Sequence, residues 1–147
     1  MPGILLHSPA AIVAQFLVEE GYSNEHSATT WPTFRHNTPD YPDNMIVVFN
    51  TSGIIQGFTQ NDGQAQEQQG VQILVRSNLE EIGYTKIKEM VNNLDQIKLK
   101  TVTIDATSYQ VKSFNRSSDI LFLGKDMKNS SRVLYTVNYV FSVRKIS

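Results

Sequence analysis

The chain has 147 residues and a mass of 16.6 kDa, about the length of one ordinary domain, so we expect a single domain over residues 1–147. The absence of cysteine excludes disulfides, thiolate zinc sites and thiol nucleophiles, and a net charge of −1 argues against a protein that binds nucleic acid over its whole surface. No apolar run approaches the roughly 18 residues of a membrane span, and the N-terminus lacks a secretory signal, so we expect a soluble, cytoplasmic protein.

The first predicted element is a helix from about Ser8 to Glu20. Ser8 is a good N-cap, and Pro9 stands at the first helical position, where its missing N–H costs nothing. Gly21 follows where a helix usually ends in the left-handed conformation. One apolar stripe of this helix comprises Ile12, Val13, Phe16 and Leu17.

Residues 22–44 lack periodicity, which predicts an irregular ordered loop or a segment that contacts a partner. The run at 45–49 is short and rich in β-branched residues, which predicts a strand buried on both faces. Residues 51–53 have turn chemistry. Residues 59–70 have almost no apolar content, which predicts a mobile loop in the isolated protein. Alternation at 71–76 predicts a second strand.

A second helix is predicted from about Asn78 to Asp95, with a capping box formed by either Ser77 and Glu80 or Asn78 and Glu81. Gly83 costs about 1 kcal/mol inside a helix, which is expected where the helix packs closely against a neighbour. The predicted inward stripe comprises Ile87, Met90, Val91 and Leu94, with Leu79 and Ile82 one or two turns earlier.

The rest of the chain predicts a β meander with turns at 105–107 and 124–131. Its last strand carries the strongest signal, because six apolar residues recur at period two. They are Val133, Tyr135, Val137, Tyr139, Phe141 and Val143. The order of elements predicts an α+β fold, with two α-helices packed on one face of a mainly antiparallel β-sheet.

Charge is unevenly distributed along the chain. Residues 1–97 contain four Lys and Arg against eleven Asp and Glu, a net charge of −7, whereas residues 98–147 contain nine against three, a net charge of +6. This asymmetry allows an acidic surface of one copy to meet a basic surface of another. It is equally compatible with two halves that interleave in one sheet.

The sequence contains no strong catalytic, cofactor or metal signature. There is no nucleophile elbow, no phosphate-binding glycine loop and no His-x-x-x-His pair. His26, His36, Asp40 and Asp43 could supply metal ligands on paper, but no fixed element is predicted to position them. Basic residues lie near aromatic residues in the last third, yet its tyrosines share an apolar face and are better explained as core. We therefore expect no catalytic, cofactor or metal site.

The opening amphipathic helix that ends at Gly21 and three later segments, taken in order, resemble the minor capsid or tail terminator family of tailed bacteriophages. The later segments are Pro42-Asp43-Asn44-Met45-Ile46-Val47-Val48, Thr51-Ser52-Gly53, and the Val71-Gln72-Ile73-Leu74-Val75-Arg76-Ser77 strand with the helix that follows. The resemblance runs from about residue 4 to residue 97. It departs from the family at Asn50, because the family often has an Asp before the Thr, and in the length of the polar segment at 59–70.

The resemblance implies a homo-oligomeric ring, commonly of six subunits, at the head-proximal end of the tail tube. Such a ring halts tube polymerisation and docks the head-tail connector, so the implied partners are the tail tube protein, the connector and genomic DNA that passes through the lumen without specific binding. It implies no catalysis, cofactor or membrane, and a location in the virion after assembly in the host cytoplasm. The alternatives are another neck, connector or tail completion protein, and a small metal-dependent enzyme.

Two expectations concern assembly. Unlike patches of identical chains can close into a ring, and the charge asymmetry predicts that ring contacts weaken as salt rises. The polar segment is the candidate for ordering on the tube or connector, with Asp62 and Glu67 as possible lumen residues that do not grip DNA. The candidate contact residues are Gln60, Asn61, Asp62, Gln64, Gln66, Glu67 and Gln68.

Overall fold

The computed structural model of the protein describes residues 6–25, 27–28, 30–39, 41–59, 64–96, 99–125 and 132–145. Two helices and seven strands lie within these residues. In chain order they are α1 (Pro9–Glu19), β1 (Thr33–Arg35), β2 (Met45–Thr59), β3 (Gln64–Ser77), α2 (Glu80–Leu94), β4 (Leu99–Ile104), β5 (Thr107–Arg116), β6 (Leu121–Lys125) and β7 (Val133–Lys145).

The strands form one sheet in the order β1-β2-β3-β7-β5-β4. β7 pairs with β3 along one edge, while β5 and β6 share its other edge. All pairings are antiparallel except that of β1 with β2. Both helices share one core cluster with residues of β2, β3 and β7, so they lie on one face of the sheet. The predicted α+β class is confirmed.

Helix α1 has the ends that its sequence predicts. The Oγ of Ser8 accepts a hydrogen bond from the backbone N–H of Ala11 at 3.2 Å. Gly21 follows the helix with a φ of +84°, a conformation that residues with a side chain rarely adopt. The predicted stripe is buried: Ile12, Val13, Phe16 and Leu17.

The prediction that residues 22–44 are irregular is wrong at β1. This three-residue strand pairs in parallel with β2, placing Thr33 opposite Ile46. A strand this short has no periodicity to detect, and its pairing depends on a segment that lies beyond the intervening loop.

The turn predicted at 51–53 and most of the loop predicted at 59–70 are wrong, because β2 and β3 continue through them as a long hairpin. Their pairing extends from Thr51 opposite Gly70 to Thr59 opposite Gln64. A ladder satisfies backbone donors and acceptors whatever the side chains are, so polar composition did not prevent strand formation. Residues 60–63 lie outside the described residues. β3 pairs with β7 only from Gln68 onward, and we call residues 54–59 and 64–67 the hairpin arm.

Helix α2 begins differently from either predicted capping box. Its N-cap is Leu79, which makes no side-chain cap bond. The Oγ of Ser77 instead accepts from the backbone N–H of Leu79 at 3.3 Å. The predicted stripe is buried at Ile87, Met90, Val91 and Leu94. The assignment of Leu79 and Ile82 to this stripe is wrong, because they are 56% and 40% exposed.

The six-residue pattern of the last strand is confirmed. Five of its members are buried and Val143 packs partly buried against the same cluster. The turn between β4 and β5 is also confirmed at residues 105–106, both with left-handed backbone. Of the turn predicted at 124–131, Gly124 and Lys125 belong to β6, and residues 126–131 lie outside the described residues.

Gly83 confirms the predicted close packing of α2. A Cβ at this position would lie 3.1 Å from the Cβ of Ser77 and 3.4 Å from the ring of Tyr135. We expect Gly83→Leu to lower the free energy of unfolding by about 1–3 kcal/mol, because its side chain must enter occupied space. Urea denaturation followed by circular dichroism measures this. Thr85→Leu, on the exposed side of the same helix, should leave stability within about 0.5 kcal/mol of wild type.

Candidate assembly surface

A buried arginine at the end of β3 holds the loop that precedes β2. Arg76 is 2% exposed. Its Nη2 donates to the carbonyls of Pro39 and Pro42, each at 2.7 Å, and its Nε donates to the carbonyl of Asp43 at 3.2 Å. One side chain thereby satisfies three loop carbonyls, and we call this arrangement the arginine clamp.

Two more contacts complete the attachment of this loop. The Oδ1 of Asn44 accepts from the Oγ of Ser77 at 3.0 Å and from the N–H of Asn78 at 3.1 Å. Arg132, which is also buried, places its Nε 2.8 Å from Asp43 Oδ1. The Pro-Asp-Asn segment and the strand ending in Arg-Ser, on which the family resemblance depends, therefore bind each other directly.

The clamp fixes the start of α2 beside the start of β2, and this end of the molecule exposes many large apolar side chains. Some of these side chains belong to α2 and its N-cap, and the others belong to strand β6, which pairs with β7 alone among the described strands. We call this set the apolar patch: Leu79, Ile82, Tyr84, Leu121, Phe122 and Leu123. Leu121 lies opposite Thr136 and Phe122 opposite Tyr135, so these two side chains lie on opposite faces of the sheet and the patch covers both faces of this edge. Exposed large apolar side chains gathered at one end of a polar protein are typical of a protein–protein interface.

An aromatic cluster forms the centre of the apolar patch. The buried ring of Tyr135 lies 5.8 Å from that of Tyr84 and 5.4 Å from that of Phe122, in tilted and edge-to-face arrangements. The three rings connect α2, β7 and β6. They give this surface a rigid apolar base of the kind that dominates binding energy at interfaces.

A groove of about 520 Å³ lies over this cluster, and we call it the aromatic groove. It is lined by Glu80, Glu81, Tyr84, Thr85 and Tyr135. Burial raises the pKa of the Tyr135 hydroxyl, and the negative charge of Glu80 and the neighbouring Tyr84 raise it further. The groove therefore combines aromatic walls with a negative potential.

A second groove lies on the other flank of α2. The Nζ of Lys86 sits 5.1 Å from the centre of the Trp31 ring, a cation–π contact between the helix and the loop before β1. Burial lowers the pKa of Lys86, and the charge of Glu89 opposes that shift. Glu81 lines both grooves, but this one also contains the cation of Lys86, whereas no Lys or Arg lines the aromatic groove.

The predicted partner-contacting residues lie at the opposite end of the sheet. Gln64, Gln66, Glu67 and Gln68 form the first part of β3, paired with β2. The predictions for Gln60, Asn61 and Asp62 fall outside the described residues. The hairpin arm and the apolar patch therefore occupy opposite ends of β3.

The potential metal ligands found in the sequence are not brought together where they are described. Asp43 pairs with Arg132, and the ring of His36 packs edge-on against Phe49 at 5.9 Å between centroids. His26 and Asp40 lie outside the described residues. Within the described part of the chain, no group of three His, Asp or Glu side chains is arranged to hold a metal ion.

Sequence analysis missed the apolar patch. Its signal was present in Leu121-Phe122-Leu123, since three consecutive large apolar residues in a short strand cannot all face one core. All three are exposed. The run was predicted only as part of the meander, and in the structure β6 lies beside only the first four residues of β7.

Comparison with known families matches residues 23–145, most of the chain, to the family described as bacteriophage tail terminator protein. No match was found among curated individual proteins. No helix among the described residues has the length and apolar character to cross a membrane. The matched region includes the arginine clamp, both walls of the aromatic groove and the whole described sheet. The chain belongs to the bacteriophage tail terminator family.

Proposed function

We propose that the protein forms a ring of six subunits at the head-proximal end of the tail tube. There it ends tube polymerisation and provides the docking surface for the head-tail connector. The observation that carries this proposal is the apolar patch with its aromatic cluster. Burying such a surface against another protein is favourable by about 25 cal/mol per Å² of apolar area, so it favours assembly over a solitary state.

Membership of the tail terminator family supports a structural role in the phage tail, contacts with other tail and head proteins, and a place in the virion. It is a family of structural proteins and is not known as an enzyme family. Ring closure, six-fold stoichiometry, assembly in the host cytoplasm and passage of DNA without specific binding are the finer parts of the proposal.

We assign the hairpin arm and the residues joining its strands to contacts with the tail tube or the connector. The arm extends past the part of β3 that β7 covers, so its outer edges are available for pairing. Its sequence from residue 54 to residue 67 contains Asp62 and Glu67 but no Lys or Arg, which suits a surface that lets DNA pass without binding its phosphates.

Replacing residues 52–69 with Asn-Gly tests this assignment. Thr51 and Gly70 already face each other, and Asn-Gly is the preferred two-residue hairpin turn. The buried apolar residues described in these strands all lie outside the removed segment: Met45, Ile46, Val47, Val48, Val71, Ile73, Leu74 and Val75. We expect a folded protein with a cooperative melt that no longer completes tails in a genetic complementation assay.

Electron microscopy of the resulting particles separates the alternatives. Tubes of abnormal length indicate loss of termination, whereas tubes of normal length that lack heads indicate a neck or tail completion role instead. Normal infectious virions from the shortened protein would overturn the assignment of the arm.

A further inference from the structure

We infer that the aromatic groove of one copy receives a basic surface on the outer sheet face of a second copy. This inference rests on the proposed self-assembly and specifies the surfaces that meet. The occupant is thus another molecule of this same chain, held by side chains that carry a positive charge.

The chemistry of the groove suits Lys and Arg side chains. Glu80 and Glu81 are exposed beside aromatic rings, and neither forms an ion pair with any residue that the structure describes. A cation over an aromatic face beside a carboxylate gains from both contacts, and Tyr with Arg is a frequent pairing at the centre of interfaces.

A matching surface lies on β4, β5 and β7, on the sheet face away from the helices. Strand register places its residues in two rows, because residues opposite each other in a ladder share a face. The rows, which we call the basic face, are Leu99, Lys112 and Ser142, and Thr101, Gln110 and Arg144. These six residues include no Asp or Glu.

The charges of the basic face are available for a partner. Lys112 is exposed and pairs with no carboxylate in the described part of the chain. Arg144 is exposed, and among the described residues it donates only to the neutral Oε1 of Gln110, at 3.2 Å. Leu99 is 54% exposed and adds an apolar side chain to the first row. A second copy therefore offers positive charge to the carboxylates of the groove and apolar surface to its aromatic walls.

The positions of the two surfaces make the contact head-to-tail. Tyr135 faces the helices near the start of β7, and Arg144 faces the other way near its end. They are nine steps apart along the strand, which is about 30 Å. Because the two surfaces face opposite ways, two copies cannot satisfy both through a two-fold axis. A pair therefore leaves the groove of one copy and the basic face of the other free for further neighbours. Such a contact closes into a ring when the rotation allows it.

Single charge reversals are the first part of the test. We expect Glu81→Lys and Lys112→Glu each to weaken self-association about tenfold or more in sedimentation velocity, since like charges then face each other. Glu25→Lys makes the same change of charge at an exposed position away from both surfaces and should associate like wild type. Wild-type association should also weaken as NaCl rises.

Mixing the two single variants is the decisive part. In the mixture, the reversed groove of one variant meets the reversed basic face of the other, and the two unchanged surfaces meet each other. We therefore expect equimolar Glu81→Lys and Lys112→Glu to form an alternating assembly as large as that of wild type. A two-fold contact between like surfaces gives no such recovery.

The outcomes distinguish this inference from the proposed function. Assembly of wild type together with unaffected single variants, or with no recovery on mixing, overturns the assigned surfaces and leaves the ring standing. A wild-type protein that stays monomeric at every concentration, alone and with tail tubes, overturns the ring itself.

Discussion

Arg76→Met is expected to lower the free energy of unfolding by about 3 kcal/mol or more. The substitution keeps much of the volume of the buried side chain but removes the donors that satisfy the carbonyls of Pro39, Pro42 and Asp43. Hydrogen bonds from a charged donor contribute roughly 1.5–3 kcal/mol each, and buried carbonyls left without partners add a desolvation cost. The loop before β2 should detach first, because its anchoring residue is gone.

Chemical denaturation gives the size of this effect. Arg35→Met, at an exposed position in β1, is the matched control and should change stability by less than about 0.5 kcal/mol. Arg76→Lys should recover only part of the loss, since an ammonium group cannot reproduce the planar geometry that reaches three carbonyls. Equal stability of Arg76→Met and Arg35→Met would show that the clamp does not hold the loop.

The clamp also explains why only part of the fold could be predicted from the sequence. Elements determined by local patterning were predictable: α1 from its cap and glycine, and β7 from its alternation. Features that depend on a distant partner were not. β1 exists because β2 lies beside it, and Ser77 contacts Asn44 rather than capping α2. The segments that carry the family resemblance contact each other in the structure, although their sequences do not reveal that contact.

The candidate surface was less predictable for a related reason. Polarity directed attention to residues 59–70, although a strand ladder forms there without apolar side chains. The three apolar residues of β6 were predicted only as part of a meander, because a sequence does not show which strands lie at an edge of the sheet. Only the structure reveals that β6 pairs with β7 alone among the described strands, where Phe122 meets Tyr135.

Phe122→Ser is expected to weaken self-association by about 30-fold, which corresponds to about 2 kcal/mol, the cost typical of removing a central aromatic residue from an interface. Phe122 is 55% exposed and packs on the buried ring of Tyr135. Its removal takes little from the core of the isolated chain, so the melting temperature at low protein concentration should change by only a few degrees. The loss should appear in assembly.

Leu6→Ser distinguishes a specific interface from non-specific association driven by exposed apolar area. Leu6 is 61% exposed and its backbone N–H donates to the hydroxyl of Tyr109, so it lies outside the apolar patch. If exposed apolar area alone drives association, both serine variants weaken it to a similar extent. If the aromatic cluster is the centre of the contact, Leu6→Ser associates like wild type and Phe122→Ser does not. The cluster also supports the wall of the groove that carries Glu80, so Phe122→Ser should reduce the salt dependence of the association that remains.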